Sequence, residues 1–131
     1  MIALPFTSLI TLLLLLLMFV TGVNVARARG RYGVKAPAVS GHEMFERAFR
    51  VQMNTLENAV LMLPALWLYA GLIGDKGAAI MGLAWLLARV WYAMAYQADP
   101  AKRGGAYAAS FLAFALLWLG ALWGAVRLLL H

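Results

Sequence analysis

The chain has 131 residues, 65% of them hydrophobic, against the roughly 45–50% usual in soluble domains, and a core this small cannot hide that surface from water. Cysteine is absent and His42 and His131 are the only histidines, which excludes disulfides, thiolate nucleophiles and cysteine metal sites and argues against a histidine-based metal or heme site. The net charge of +6 calls for no nucleic-acid partner, because membrane topology accounts for it.

A helix needs about 20 apolar residues to cross a hydrocarbon layer of ~30 Å, and four such stretches fill the chain. The first, over residues 4–26, is uncharged and carries a leucine run. It reads as a membrane span rather than a cleaved signal, because no basic leader precedes an apolar stretch this long. The connection from Arg27 to Arg47 holds Pro37, Ser40 and Gly41 and is expected to be partly irregular.

The second span covers residues 51–73 and the third residues 78–98, joined by a tight polar turn at Gly74, Asp75, Lys76 and Gly77. A polar loop over residues 99–105 leads to the fourth span, residues 106–126. Open backbone finds no hydrogen-bond partners in lipid, and the alternation of barrel strands is missing, so all four spans are helices. The expected fold is an all-α, integral membrane four-helix bundle forming a single domain over residues 1–131.

Arg27, Arg29, Arg31, Lys35, Arg47, Lys102 and Arg103 lie in the first and third loops, against Lys76 and Arg127 on the other side. The positive-inside rule then puts the first and third loops in the cytoplasm and both termini opposite. Arg31, Lys35 and Lys102 read as contacts to anionic membrane lipids. Trp67, Tyr69, Trp85, Trp118 and Trp123 are mostly expected to anchor at the lipid face or pack between subunits. Gly71, Gly82, Ala84, Gly120 and Gly124 permit close helix approach.

Ionisable residues inside an apolar span are costly and mark function or a compensating pair. Arg50, Asn54 and Glu57 recur at i, i+4 and i+7, one stripe of the second helix. Arg89, Tyr92 and Tyr96 form a similar stripe on the antiparallel third helix, with Arg103 beyond its end. Glu57 and Arg89 each lie roughly 10 Å from the loop end of their helices at 1.5 Å per residue, and are expected to pair. With Gln52 and Asn58 nearby, the polar groups exceed what one locking pair needs. Several guanidiniums suit a ligand with more than one carboxylate, and one acid with amides suits an ammonium or peptide groups. The residues alone describe a site for a small anionic peptide or amino-acid conjugate.

The segment from Glu46 through Arg50, Asn54 and Glu57, with Pro64 in the same span, resembles the MAPEG family of membrane-associated proteins in eicosanoid and glutathione metabolism. Ala88-Arg89-Val90-Trp91-Tyr92-Ala93-Met94-Ala95-Tyr96, followed seven residues later by Arg103, resembles the same family. The resemblance implies a homotrimer that binds glutathione between subunits on the cytoplasmic side. It carries glutathione binding over to Arg50, Asn54, Glu57, Tyr92 and Tyr96, which Arg89 joins on its stripe, and assigns Arg29 and Gln52 to the neighbouring subunit's share. Arg103 matches the arginine that stabilises the thiolate.

Glutathione has two carboxylates and one amine, and it brings the sulfur this chain lacks. Asn58 and Trp91 depart from eicosanoid-synthesising relatives. The expected activity is therefore a general glutathione transferase or peroxidase acting on a hydrophobic electrophile or lipid hydroperoxide. Two other classes compete. A non-enzymatic lipid-binding relative would not need the retained polar set, and a small efflux transporter would need an unpaired acid and a pocket that does not repel cations.

Overall fold

The computed structural model describes residues 3–131. Four helices follow one another: α1 (Pro5–Tyr32), α2 (Glu43–Leu72), α3 (Asp75–Ala98) and α4 (Gly104–Leu129), with a single 3₁₀ turn at Pro100–Lys102 before the last. Each is long and apolar enough to cross a membrane, and no strand occurs among the described residues. The all-helical, membrane-spanning architecture expected from composition is the one observed.

The connection between the first two spans is partly irregular, as expected, over residues 33–42, and both helices run past the apolar spans, α1 to Tyr32 and α2 from Glu43. Arg27, Arg29 and Arg31 mark where α1 leaves the apolar layer, not where it stops. It stops at Gly33, whose φ of 68° is left-handed, with the Val34 N–H donating to the Arg29 carbonyl at 3.1 Å. His42 caps α2, its Nδ1 accepting from the Met44 N–H at 3.1 Å, and its ring stacks on Tyr32 at 4.1 Å.

At the opposite end the turn after α2 holds the start of α1. Pro5 occupies the first turn, where a missing N–H costs nothing. The next N–H groups, of Phe6 and Thr7, donate to the Asp75 carboxylate at 3.1 and 2.8 Å. One carboxylate thus satisfies α1 backbone groups while sitting at the negative-preferring N-terminus of α3.

The core is thin and built on small residues. Ile10, Leu14, Met62, Leu66, Trp85 and Leu117 fill it, with Ala59, Ala65, Ala70, Ala78 and Ala113 letting the helices approach. A Cβ on Gly82 would stand 2.6 Å from Ile10 Cγ2, and one on Gly124 2.8 Å from Leu72 Cβ. Gly120 receives the Tyr69 ring, so the Gly120 and Gly124 pair packs α4 against α2 within the subunit, while Gly71 faces open space. Trp118 and Trp123 face outward as expected, but Trp85 is 1% exposed and belongs to the core. Its indole fills the volume that the surrounding alanines leave.

Candidate active site

The first turns of α2 and the last turns of α3 meet at the end of the bundle that carries the first and third loops. Arg47 fixes that junction. Its Nη1 donates to the Gln97 and Ala98 carbonyls at 2.8 and 3.1 Å, satisfying the exposed end of α3, and its Nη2 pairs with Glu43 at 2.7 Å. Asp99 then turns the chain: its Oδ1 accepts from the Ala101 N–H at 3.0 Å, and its carbonyl accepts from Lys102 at 2.9 Å. The short turn returns Pro100 and Arg103 over the ends of α2 and α3.

A cavity of about 220 Å³ lies beneath, lined by Arg50, Met53, Asn54, Glu57, Tyr92, Tyr96, Pro100 and Arg103. Helical spacing places Arg50, Asn54 and Glu57 along one wall and Tyr92 and Tyr96 along the other, their rings 5.7 Å apart. Six sequence-predicted residues are therefore brought together. Met53 and Pro100 complete the lining and carry no polar signal that sequence reasoning could have used. Two guanidiniums face one carboxylate, and all three groups are exposed at the mouth. The charges of such a wall suit anionic groups and one ammonium, and the Arg103 end, with Tyr92 and Tyr96, suits a negative charge.

Arg89 is placed differently. It is fully buried behind the wall rather than in it. Its Nη2 donates to Asn54 Oδ1 at 2.7 Å and Thr55 Oγ1 at 3.0 Å, and its Nη1 donates to Ser110 Oγ on α4 at 3.3 Å. The guanidinium lies 4.1 Å over the Tyr92 ring and 5.8 Å from that of Trp85, while Nε has no partner. The expected Glu57–Arg89 pair does not form. Arg89 meets α2 one turn nearer the loop than Glu57, so the neutral oxygens of Asn54 and Thr55 take it. Among the described residues the ion pair present is Arg47–Glu43.

Arg29 and Gln52 do not line the cavity. Arg29 Nη1 donates to the Ala38 carbonyl at 2.7 Å and its guanidinium lies 4.8 Å over Phe45. The Gln52 amide points at Gly22 of α1, 3.2 Å from where a Cβ would stand. No group of three His, Cys, Asp or Glu side chains able to hold a metal occurs among the described residues.

One turn beyond Glu57 on α2, an apolar groove of about 430 Å³ begins at Val60 and Leu61 and runs past Pro64 to Phe114 and Trp118 of α4. The polar cavity and the groove thus share the α2 surface.

Comparison with known proteins gives this arrangement a context. A model of the MAPEG family matches residues 7–123. An uncharacterized protein of Synechocystis, sll1147, is 46% identical over 115 residues, covering 88% of this chain and 84% of its own length. Rat leukotriene C4 synthase is 36% identical over 122 residues, 93% of this chain and 79% of that enzyme. Human microsomal glutathione S-transferase 2 is 35% identical over 97 residues, 74% of this chain and 66% of its own. The family match spans all four helices and both halves of the cavity wall, and the chain belongs to the MAPEG family.

Proposed function

We propose that this membrane protein is a glutathione-dependent transferase or peroxidase that activates glutathione as its thiolate against lipophilic electrophiles or hydroperoxides. The observation that carries the reading is the convergence of Arg50, Asn54, Glu57, Tyr92, Tyr96 and Arg103 on one cavity. Similarity to a glutathione transferase and a leukotriene C4 synthase supports it.

In this reading Arg50 takes a glutathione carboxylate through its fork, and Glu57 takes the ammonium. Arg103 stands beside the sulfur, where its charge favours thiolate over thiol, so the proton leaves to solvent at the open mouth. Tyr92 and Tyr96 flank the sulfur. The electrophile, dissolved in lipid, reaches it along the apolar groove that starts at Val60. With an electrophile the sulfur–carbon bond forms as the leaving group departs; with a hydroperoxide the sulfur takes the terminal oxygen as the O–O bond breaks and the alcohol leaves, and a second glutathione converts the sulfenic acid to disulfide and water. Catalysis is thiolate activation plus proximity.

Arg29 and Gln52 lie off this cavity, and in this reading they complete the site of a neighbouring subunit in a homotrimer. Native mass spectrometry of the solubilised protein checks that assembly; a monomer carrying full activity contradicts it. Conjugation of glutathione to a model electrophile tests the reaction. Arg103→Ala is expected to lower kcat on the order of 10²-fold, the scale of losing one charge-stabilising donor, with the fold intact. An unchanged rate removes Arg103 from the chemistry.

A further inference from the structure

A buried arginine with no carboxylate beside it is costly in a membrane, and what it touches shows what it is kept for. Arg89 spends its hydrogen bonds on three neutral oxygens, of Asn54, Thr55 and Ser110. A guanidinium only donates, so the side-chain amide of Asn54 must turn its oxygen toward Arg89. Asn58 reinforces that choice. Its Nδ2 donates to the Asn54 carbonyl at 2.8 Å and lies 3.3 Å from Asn54 Oδ1.

Both lone pairs of Oδ1 are therefore engaged, and a flipped amide would set its N–H groups against two donors. What Asn54 has left for the cavity is its NH₂ group. Tyr92, stacked under the same guanidinium, is a cavity wall too, so one buried side chain positions two wall residues.

We infer, taking the ligand from the glutathione reading, that Arg89 is a positioning residue that locks Asn54 as a hydrogen-bond donor to the cavity. That point of the wall then selects a ligand acceptor, a peptide carbonyl or carboxylate oxygen, over a ligand N–H. Arg89 itself touches no ligand.

Asn54→Asp separates the two faces of residue 54. A carboxylate accepts from Arg89 as well as the amide does and gains an ion pair, but it shows the cavity an oxygen in place of N–H. The variant is expected to melt in detergent at or above the wild-type temperature. Its KM for glutathione should rise on the order of 30-fold or more, the scale of a polar group left facing the wrong partner, while kcat at saturating glutathione stays within about 3-fold. Glutathione binding within about 3-fold of wild type overturns the inference.

A melting cycle decides the Arg89 contact without any ligand. Asn54→Asp should stabilise when Arg89 is present and destabilise in an Arg89→Met background, and absence of coupling between the two positions overturns the lock. If wild-type protein binds no glutathione, the glutathione reading fails while this cycle still tests Arg89.

Discussion

Glu57 is the lone carboxylate of the cavity wall, and that singles out the ligand group it serves. If it holds the glutathione ammonium, Glu57→Gln should raise KM for glutathione roughly 10-fold, the scale of a charge-assisted hydrogen bond, and should have no effect on a glutathione analogue lacking the amino group. Steady-state kinetics with both thiols checks this, and equal losses for the two would assign Glu57 elsewhere. Which residues share a stripe was legible, because Arg50, Asn54 and Glu57, and likewise Tyr92 and Tyr96, are related by helical spacing within one element. Which residue faces which across two helices was not. That depends on axial register and rotation, set by packing of Trp85 and the alanines around it, and a shift of one turn gave Arg89 to Asn54 and Thr55.

The helices are held by close contacts as much as by apolar burial, because lipid offers no hydrophobic drive for helix association. Gly120 on α4 shows the consequence. A Cβ there would stand 2.6 Å from Cδ2 of Tyr69, so Gly120→Ala forces the α2 and α4 surfaces apart. The expected cost is about 1–3 kcal/mol of stability, read as a lower melting temperature in detergent, whereas Gly71→Ala, in open space, should be neutral. If both variants melt alike, the α2–α4 seam is not where the structure places it. The small residues themselves were legible, but their partners were not, since in so apolar a chain every face offers a small-xxx-small pattern. Helix lengths were legible only within the apolar layer. Beyond it the stops are conformational, at Gly33 and His42, and hydropathy carries no trace of them.

At the scale of the molecule, charge orders what packing leaves free. The two ends of the bundle differ in basic residues, and we propose that the first and third loops, and with them the cavity mouth, face the cytoplasm. The cysteine-free chain makes this directly testable, because any introduced thiol is a single reporter. Lys35→Cys and Lys102→Cys should resist a membrane-impermeant maleimide in intact cells, and Lys76→Cys should react; the reverse pattern inverts the molecule. In the proposed reading a cytoplasmic mouth gives the anionic thiol an aqueous route, and the apolar groove from Val60 to Trp118 gives a lipid-soluble electrophile a separate one.

The central claim, that this cavity holds glutathione with its sulfur ionised, is most directly tested by an ultraviolet difference titration of the solubilised protein with glutathione near neutral pH. Thiolate absorbance that saturates with wild-type protein and vanishes in Arg103→Ala is the predicted result. Glutathione that binds without a thiolate signal, or does not bind at all, would contradict it.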